Sequence, residues 1–376
     1  MNNKNGLGCI FCTTPYQIMT AININETLAC DFDIYIVNQF AHSKEIADRL
    51  AETKFFNDVL FVDANALGLE YTSKKGMNSL NYKFWSFYLY SKNSLSLDKT
   101  VKKYFKTDAD YKSIFVSNNA MAGRFASIYL FKHSDSVEFV HYDDGNGSYF
   151  DLKSVYGIPL YDRICRTILF GKQTAEIPFS KMLYFPELYK ELNGEEKYMQ
   201  KIRVSKEAND VLSYVFSLSD LKSIAEPVII IDTNRTEEFD DTGSEEYSSI
   251  LSHCEDIVGI KKVIYKKHPR DTSQLVENVM NDDGIPFELF CYKNDFSDRI
   301  LISSKSTAVF SPKLFFDSEP YIILLYKIME QHTKTVMNVD PYVHYVKNLY
   351  REPERIIVPK DKEQLYKALS ELSRKL

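Results

Sequence analysis

The stretch LGCIFCTTPYQIMTAININETLACDFDIYIVN, residues 7–38, decides the fold. LGCIFC is an apolar run of strand length. TTPYQIMTAININ follows it as a helical pattern, with Pro15 at an early position where its missing N–H costs nothing. DFDIYIVN (31–38) is a second strand and leads into the helical SKEIADRLAE. Strand, helix and strand at this spacing predict a parallel sheet with helices on both faces.

The alternation continues outward. DVLFVDA (58–64), a Tyr- and Lys-rich helical stretch to about residue 105, YKSIFVSN (111–118), the helical MAGRFASIYLFKH and SVEFVHY (136–142) come in turn. After 142 the pattern loosens into helical and loop segments, including YDRICRTILFG and PELYKELNGEEKYMQKIRVSKEANDVLSYVF. It restarts with PVIIIDT (227–233), a polar helix near SEEYSSILSHCEDI, KKVIYKKHP (261–269) and the helical SQLVENVMNDD. IPFELF (285–290), RILISSKSTAVFS (299–311), PYIILLY (320–326) and the charged helix DKEQLYKALSELSRKL complete the chain. A length of 376 residues suits two domains of ~150 to 200 residues better than one core. The expected fold class is therefore α/β: two Rossmann-like domains facing each other across a cleft, residues 1–205 and 206–376, with the linker at 190–210.

Composition excludes several function classes. A hydrophobic fraction of 44% and a charged fraction of 26% describe an ordinary folded protein. The net charge of -6 argues against a dedicated nucleic-acid binder, although KKVIYKKHPR (261–270) is locally basic. No stretch approaches the ~20 apolar residues of a membrane span, and the opening MNNKNGLGCIFC lacks signal-peptide character, so a cytoplasmic chain is expected. The six cysteines are scattered. Cys9 and Cys12 form a CxxC inside an apolar strand with no second pair, which reads as buried thiols rather than a zinc or redox site.

Chemistry-bearing residues gather where strands end. In HYDDGNGSYFDL (141–152) the paired acids Asp143 and Asp144 stand beside Gly145 directly after a strand. Such residues build surface turns, but the carboxyl end of a parallel strand is also where α/β proteins keep ligands. Adjacent side chains in an extended chain point opposite ways, so one of the two acids is expected to face the cleft. In YKKHPRD, His268 follows a β-branched strand that Pro269 terminates. An imidazole there can meet a phosphate charge or hand it a proton, while a surface turn histidine is the simpler reading. Glu288 in IPFELF is a candidate acceptor for base and ribose hydroxyls, or an ordinary exposed acid. Ser306 and Thr307 in SKSTAVFS suit either helix capping or a phosphate seat. Taken in order on successive junctions of one half, these residues describe a nucleotide pocket. In TTPYQ (13–17), Thr14 or Gln17 could touch a second sugar, with capping the simpler role.

The paired acids of YDDG, the HP after a basic strand, the FE some twenty residues on and the hydroxyls of STAVFS resemble the four motifs of bacterial sialyltransferases. CTTPYQIMTAI and the overall length most resemble glycosyltransferase family 52, the lipooligosaccharide and capsular polysaccharide sialyltransferases. The resemblance runs from the first strand to about residue 326. It implies a GT-B fold and an inverting, metal-independent transferase. Such an enzyme moves sialic acid from CMP-sialic acid to a terminal, galactose-type hydroxyl of a bacterial surface glycan, with no cofactor. In that mapping Asp144 is the general base, with Asp143 and Gly145 supporting it, and His268 is the general acid on the departing CMP. Lys266, Pro269, Glu288, Ser306 and Thr307 hold the donor. Asp240, Asp241 and Glu238, in the first loop of the C-terminal half, are rival bases.

Two alternatives stay open beside the sialyltransferase: a GT-B hexosyltransferase such as a glucosyltransferase using another nucleotide sugar, and a non-catalytic Rossmann-like binding protein. The implied acceptor is lipid-linked. KKYFKTDADYK (102–112) or the final LSELSRKL could therefore rest on the inner leaflet, although a charge run is usually a solvated face. Homodimerisation is left open, and no nucleic-acid partner is expected.

Overall fold

The structure, a computed structural model, describes residues 6–63, 105–106, 109–117, 137–149, 179–194, 198–233, 235–268, 278–280, 285–334 and 339–375. The chain divides into two compact units, Met1–Ser217 and Leu218–Leu376. Each is built on an all-parallel sheet, the layer architecture of a two-domain Rossmann-like, GT-B-type fold.

In the first unit β1 (Gly8–Cys12), β2 (Phe32–Val37), β3 (Asp58–Val62), β4 (Ser113–Val116), β5 (Glu138–Tyr142), β6 (Phe179–Leu183) and β7 (Met199–Lys201) form one sheet. Its order is β3-β2-β1-β4-β5-β6-β7. Every residue of β1 and β2 is buried, as a sheet covered on both faces requires. Helix α1 (Pro15–Leu28) is buried without interruption from Gln17 to Asn25, which places it in the core rather than on the surface. Thr14 caps it, accepting from the Gln17 N–H at 3.2 Å, and Pro15 fills the first turn. Helix α2 (Ser43–Thr53) is amphipathic and buries Ile46, Ala47 and Leu50.

The loose region after residue 142 holds two strands that the sequence pattern hides. β6 and β7 extend the sheet edge, and α3 (Pro186–Asn193) lies between them. The stretch PELYKELNGEEKYMQK, expected as helical and loop segments, ends α3 at Gly194, whose φ is +85°, and re-enters the sheet at Met199. α4 (Lys206–Val215) packs on α1 and α2 through Ala208, Leu212 and Val215, so residues 199–215 are integral to the first unit. The helical patterns at 64–104, 121–133 and 161–171 lie outside the described residues.

In the second unit β8 (Val228–Ile231), β9 (Val263–Lys266), β10 (Ile300–Ser303), β11 (Tyr321–Leu324) and β12 (Ile356–Ile357) take the order β12-β11-β10-β8-β9. Short helix α5 (Arg235–Glu238) and the long α6 (Asp241–Val258) follow β8. α7 (Phe287–Phe290) and α8 (Ser311–Phe316) flank β10, and α9 (Asp340–Leu349) and α10 (Lys362–Ser373) close the unit. IPFELF thus forms one helical turn that buries Phe287, Leu289 and Phe290. Val279 bridges Tyr265 in parallel, so the expected helix SQLVENVMNDD is extended at that point. One face of this sheet is sealed by α6 and α10, with Tyr247, Ile250, Leu251, Leu365 and Leu369 packed on Ile230, Ile302 and Ile323. Burial of this apolar surface stabilises the unit at about 25 cal/mol per Å². It also commits Leu369 and Leu372 of LSELSRKL to the core.

Candidate functional site

Both sheets have a topological switch point, where the chain leaves one side of the first strand and resumes on the other. In the first unit it falls between β1 and β4, and in the second between β8 and β10. Each switch point gathers a group of polar side chains at the carboxyl ends of its strands.

In the first unit Gln17 organises the edge. Its Oε1 accepts from the Thr13 N–H at 2.6 Å and hydroxyl at 3.1 Å, and its Nε2 donates to Ser117 Oγ and to Asp144 Oδ1, each at 2.8 Å. The ends of β1, β4 and β5 are therefore tied through one buried amide. Thr14 is spent on the helix cap.

The adjacent acids are divided by their surroundings. Asp143 is buried, 1% exposed, and accepts from Tyr16 and Tyr149 hydroxyls and from the Gly145 and Tyr184 N–H groups. Burial pushes its carboxyl above the ordinary range, against the pull of those four donors. Gly145 closes the turn at φ +82°, a conformation that suits glycine. Asp144 is half-buried at the sheet edge, and its N–H donates to Ser148 Oγ at 2.8 Å. Asp143 therefore holds the turn, and Asp144 is the acid presented at its lip.

In the second unit Asp232 follows β8 and pairs with Arg235 at 2.8 Å, while Arg235 also donates to Ser248 at 2.8 Å. Glu238 accepts from the Thr233 hydroxyl on one oxygen and the Ser304 hydroxyl on the other, which ties the end of β8 to the end of β10. Lys305 lies 3.7 Å from the same carboxylate. Ser306 and Thr307 come next, in a 3-10 turn that leads into α8. Ser306 makes no side-chain capping bond, so its hydroxyl is not consumed by the helix end. Glu288 accepts from Ser311 Oγ at 3.0 Å, which brings α7 against the start of α8.

Lys266 is the buried last residue of β9, and its carbonyl accepts from the Asp232 N–H at 2.9 Å. His268 is half-buried just beyond it. Because β8 separates β9 from β10, His268 and Ser306 leave strands that are not neighbours in the sheet. Pro269 lies outside the described residues. Asp240 is the N-cap of α6, accepting from the Gly243 N–H at 2.6 Å, and Asp241 is exposed in that helix's first turn. The three rival acids thus divide into a helix cap, a solvent-facing acid and a strap between two strands.

Sequence reasoning missed Ser117, Asp232, Arg235, Ser304 and Lys305. The signal for Asp232 was present: like Asp143, it is an acid placed directly after a buried strand. Among the described residues no group of three or more His, Cys, Asp or Glu side chains is placed to hold a metal ion, and Cys9 and Cys12 are buried thiols raised in pKa by burial. No helix among the described residues is long and apolar enough to cross a membrane.

No protein-family model matches this chain, and no curated protein is similar to it. Its likeness is to solved structures. A Listeria monocytogenes protein described as a UDP-N-acetylglucosamine 2-epimerase superposes with a TM-score of 0.51 at 12% identity, covering 98% of this chain and 88% of that one. A further UDP-N-acetylglucosamine 2-epimerase and the Neisseria meningitidis enzyme bound to UDP-GlcNAc each give 0.49 at 12% identity, over 98% of this chain and 87% and 93% of theirs.

These findings correct the expectation drawn from the four short motifs. The Listeria monocytogenes structure that this chain resembles is described as a UDP-N-acetylglucosamine 2-epimerase, not as a family 52 sialyltransferase. The glycosyltransferase assignment, the CMP-sialic acid donor, the surface-glycan acceptor and the lipooligosaccharide and capsule roles are withdrawn with it. The physical reason is that an acid pair, a His-Pro corner and a hydroxyl pair mark where strands of a parallel α/β sheet end. They do not record which nucleotide or which reaction the sheet serves.

Proposed function

We propose that this chain is an enzyme acting on a UDP-activated sugar, with epimerisation at the carbon next to the anomeric centre as its reaction class. The observation that carries the proposal is the β8–β10 switch point. It presents hydroxyls from Ser306 and Thr307 beside a lysine, at the edge where α/β sheets seat nucleotides. The choice of uridine diphosphate follows the fold likeness to the Listeria monocytogenes protein.

The proton at such a carbon has no carbonyl beside it, so its C–H electron pair is taken up as the anomeric C–O bond breaks and UDP leaves. A proton returned to the opposite face and re-addition of UDP complete the inversion, which needs an acid–base group at an edge open to substrate. Asp144 is our candidate for that group. Gln17 fixes its orientation, and Asp143 is excluded from the role by being enclosed in four donor bonds. His268 and Glu288 are assigned to the nucleotide, the first to its phosphates and the second to its ribose hydroxyls.

The test is incubation with UDP-N-acetylglucosamine in deuterium oxide, followed by proton NMR. The expected result is deuterium at the sugar C2 and the appearance of a second, C2-inverted sugar nucleotide. Binding of UDP without exchange would reduce the chain to a nucleotide-sugar binding protein, and failure to bind UDP would remove the reading altogether.

A further inference from the structure

Lys305 has an environment that its neighbours do not explain. Its side chain is only 16% exposed, unusual for a lysine. The one ion-pair partner found for it among the described residues is Glu238, at 3.7 Å. That is about 1 Å longer than a charge-assisted hydrogen bond. Both Glu238 oxygens are already accepting, one from the Ser304 hydroxyl and one from the Thr233 hydroxyl. The carboxylate thus supplies a counter-charge that makes a sheltered ammonium tolerable, but it does not supply the short bonds that would hold the ammonium in place.

From this geometry we propose that Lys305 is the phosphate-binding cation of the second unit, parked against Glu238 until a nucleoside diphosphate takes it. The inference rests on the UDP-sugar reading above and deepens it. Lys305 stands between Ser304 and the Ser306–Thr307 hydroxyls, directly after β10 at the switch point. A phosphate arriving there meets three donors from consecutive residues. Lysine serves as a point charge for phosphate and, with a flexible stem, swings a few ångströms at small cost. Glu238 does not follow it, because two hydroxyls from two different strand ends keep the carboxylate where it is. The ammonium exchanges a long ion pair for a shorter one, and Glu238 keeps its two hydroxyl donors when the ammonium leaves.

The test compares UDP with uridine, which lacks the phosphates. UDP binding is read by titration calorimetry and uridine binding by saturation-transfer NMR, for wild type, Lys305→Gln and Lys305→Arg. We expect Lys305→Gln to weaken UDP by about 10-fold or more, consistent with loss of one charge-assisted contact. Uridine should be unchanged, and Lys305→Arg should retain UDP to within about 3-fold because its charge is kept. The salt dependence of UDP binding should also flatten in Lys305→Gln. Unchanged UDP affinity in Lys305→Gln, or an equal loss for UDP and uridine, would overturn the assignment while leaving the UDP-sugar reading intact. A wild-type chain that binds no UDP would overturn both.

Discussion

Gln17 Nε2 lies 2.8 Å from Asp144 Oδ1, across 127 residues of sequence, and this bond sets the direction of the acid that the turn after β5 presents. The same amide holds Ser117 and Thr13, so one side chain in the first turn of α1 registers three strand ends against each other. The carboxyl ends of three strands of the first sheet are tied together by a residue that itself touches no solvent.

Gln17→Ala should therefore cost more than its size suggests. It leaves the buried Thr13 N–H without its acceptor, a loss of about 2 kcal/mol for an unpaired buried donor. Urea denaturation should show that loss, and catalytic turnover should fall as Asp144 loses its anchor. A variant as stable as wild type would mean that Thr13 finds another acceptor.

Asp144→Asn tests the acid–base role directly. Exchange at the sugar C2 should fall by about 100-fold or more, the scale of a lost general base. UDP affinity should stay close to that of wild type, because the nucleotide is assigned to the second unit. Exchange at the wild-type rate would move the role to another group.

Asp143 gives a pH signature of its own. Burial raises its folded-state pKa above the unfolded value, even though Tyr149, Gly145, Tyr184 and Tyr16 all donate to it. In the interval between the two values the native state holds a proton that the unfolded state has lost. Stability contributed by this group therefore falls as pH rises from the ordinary carboxylate range through the folded value. Measured against Asp143→Asn, which does not titrate, the wild-type chain should have its largest relative stability at acidic pH and lose part of it towards neutrality. A difference that grows with pH would contradict the assignment.

Glu319 should behave in the opposite sense. It is buried between Lys313 at 2.6 Å and Arg351 at 3.1 Å, and joins the start of β11 to the loop after α9. Burial alone would raise its pKa, but the donors from Lys313 and Arg351 outweigh it and bring it from 4.5 to about 2. Its stabilisation is complete above 4.5 and is lost as pH falls towards about 2. Glu319→Gln should thus be less stable than wild type at neutral pH, and the two denaturation curves should converge across that acidic window. A gap independent of pH would mean that the loss comes from packing and not from charge.

How far these sites could be read in advance differs from residue to residue. Pro15 and Thr14 announced the start of α1, and the apolar runs ending at Cys12, Val37, Val62, Val116 and Tyr142 became strands. β6 and β7 were not legible. They are short, sit at or next to the sheet edge and carry polar residues such as Ser180, Lys181 and Gln200, so their hydrophobic period is weak. Asp143 and Asp144 were visible as a pair, yet nothing local distinguishes them. Tyr16, Tyr149 and Tyr184 make one a structural centre, and Gln17 leaves the other at the lip.

By itself the sequence determined that this chain alternates strands with helices, that its sheets are parallel and that acids such as Asp143 and Asp144 stand directly after a strand. These follow from the period of the apolar residues and from the chemistry of capping, both of which act over a few positions. Only the tertiary structure decided that β4 and β10 join the far sides of β1 and β8, which creates the two switch points and fixes the partners of Gln17 and Glu238. Strand order depends on which face each crossover takes and on packing between segments 60 or more residues apart, such as Glu238 and Ser304 at a separation of 66. A motif of a few residues holds no record of either.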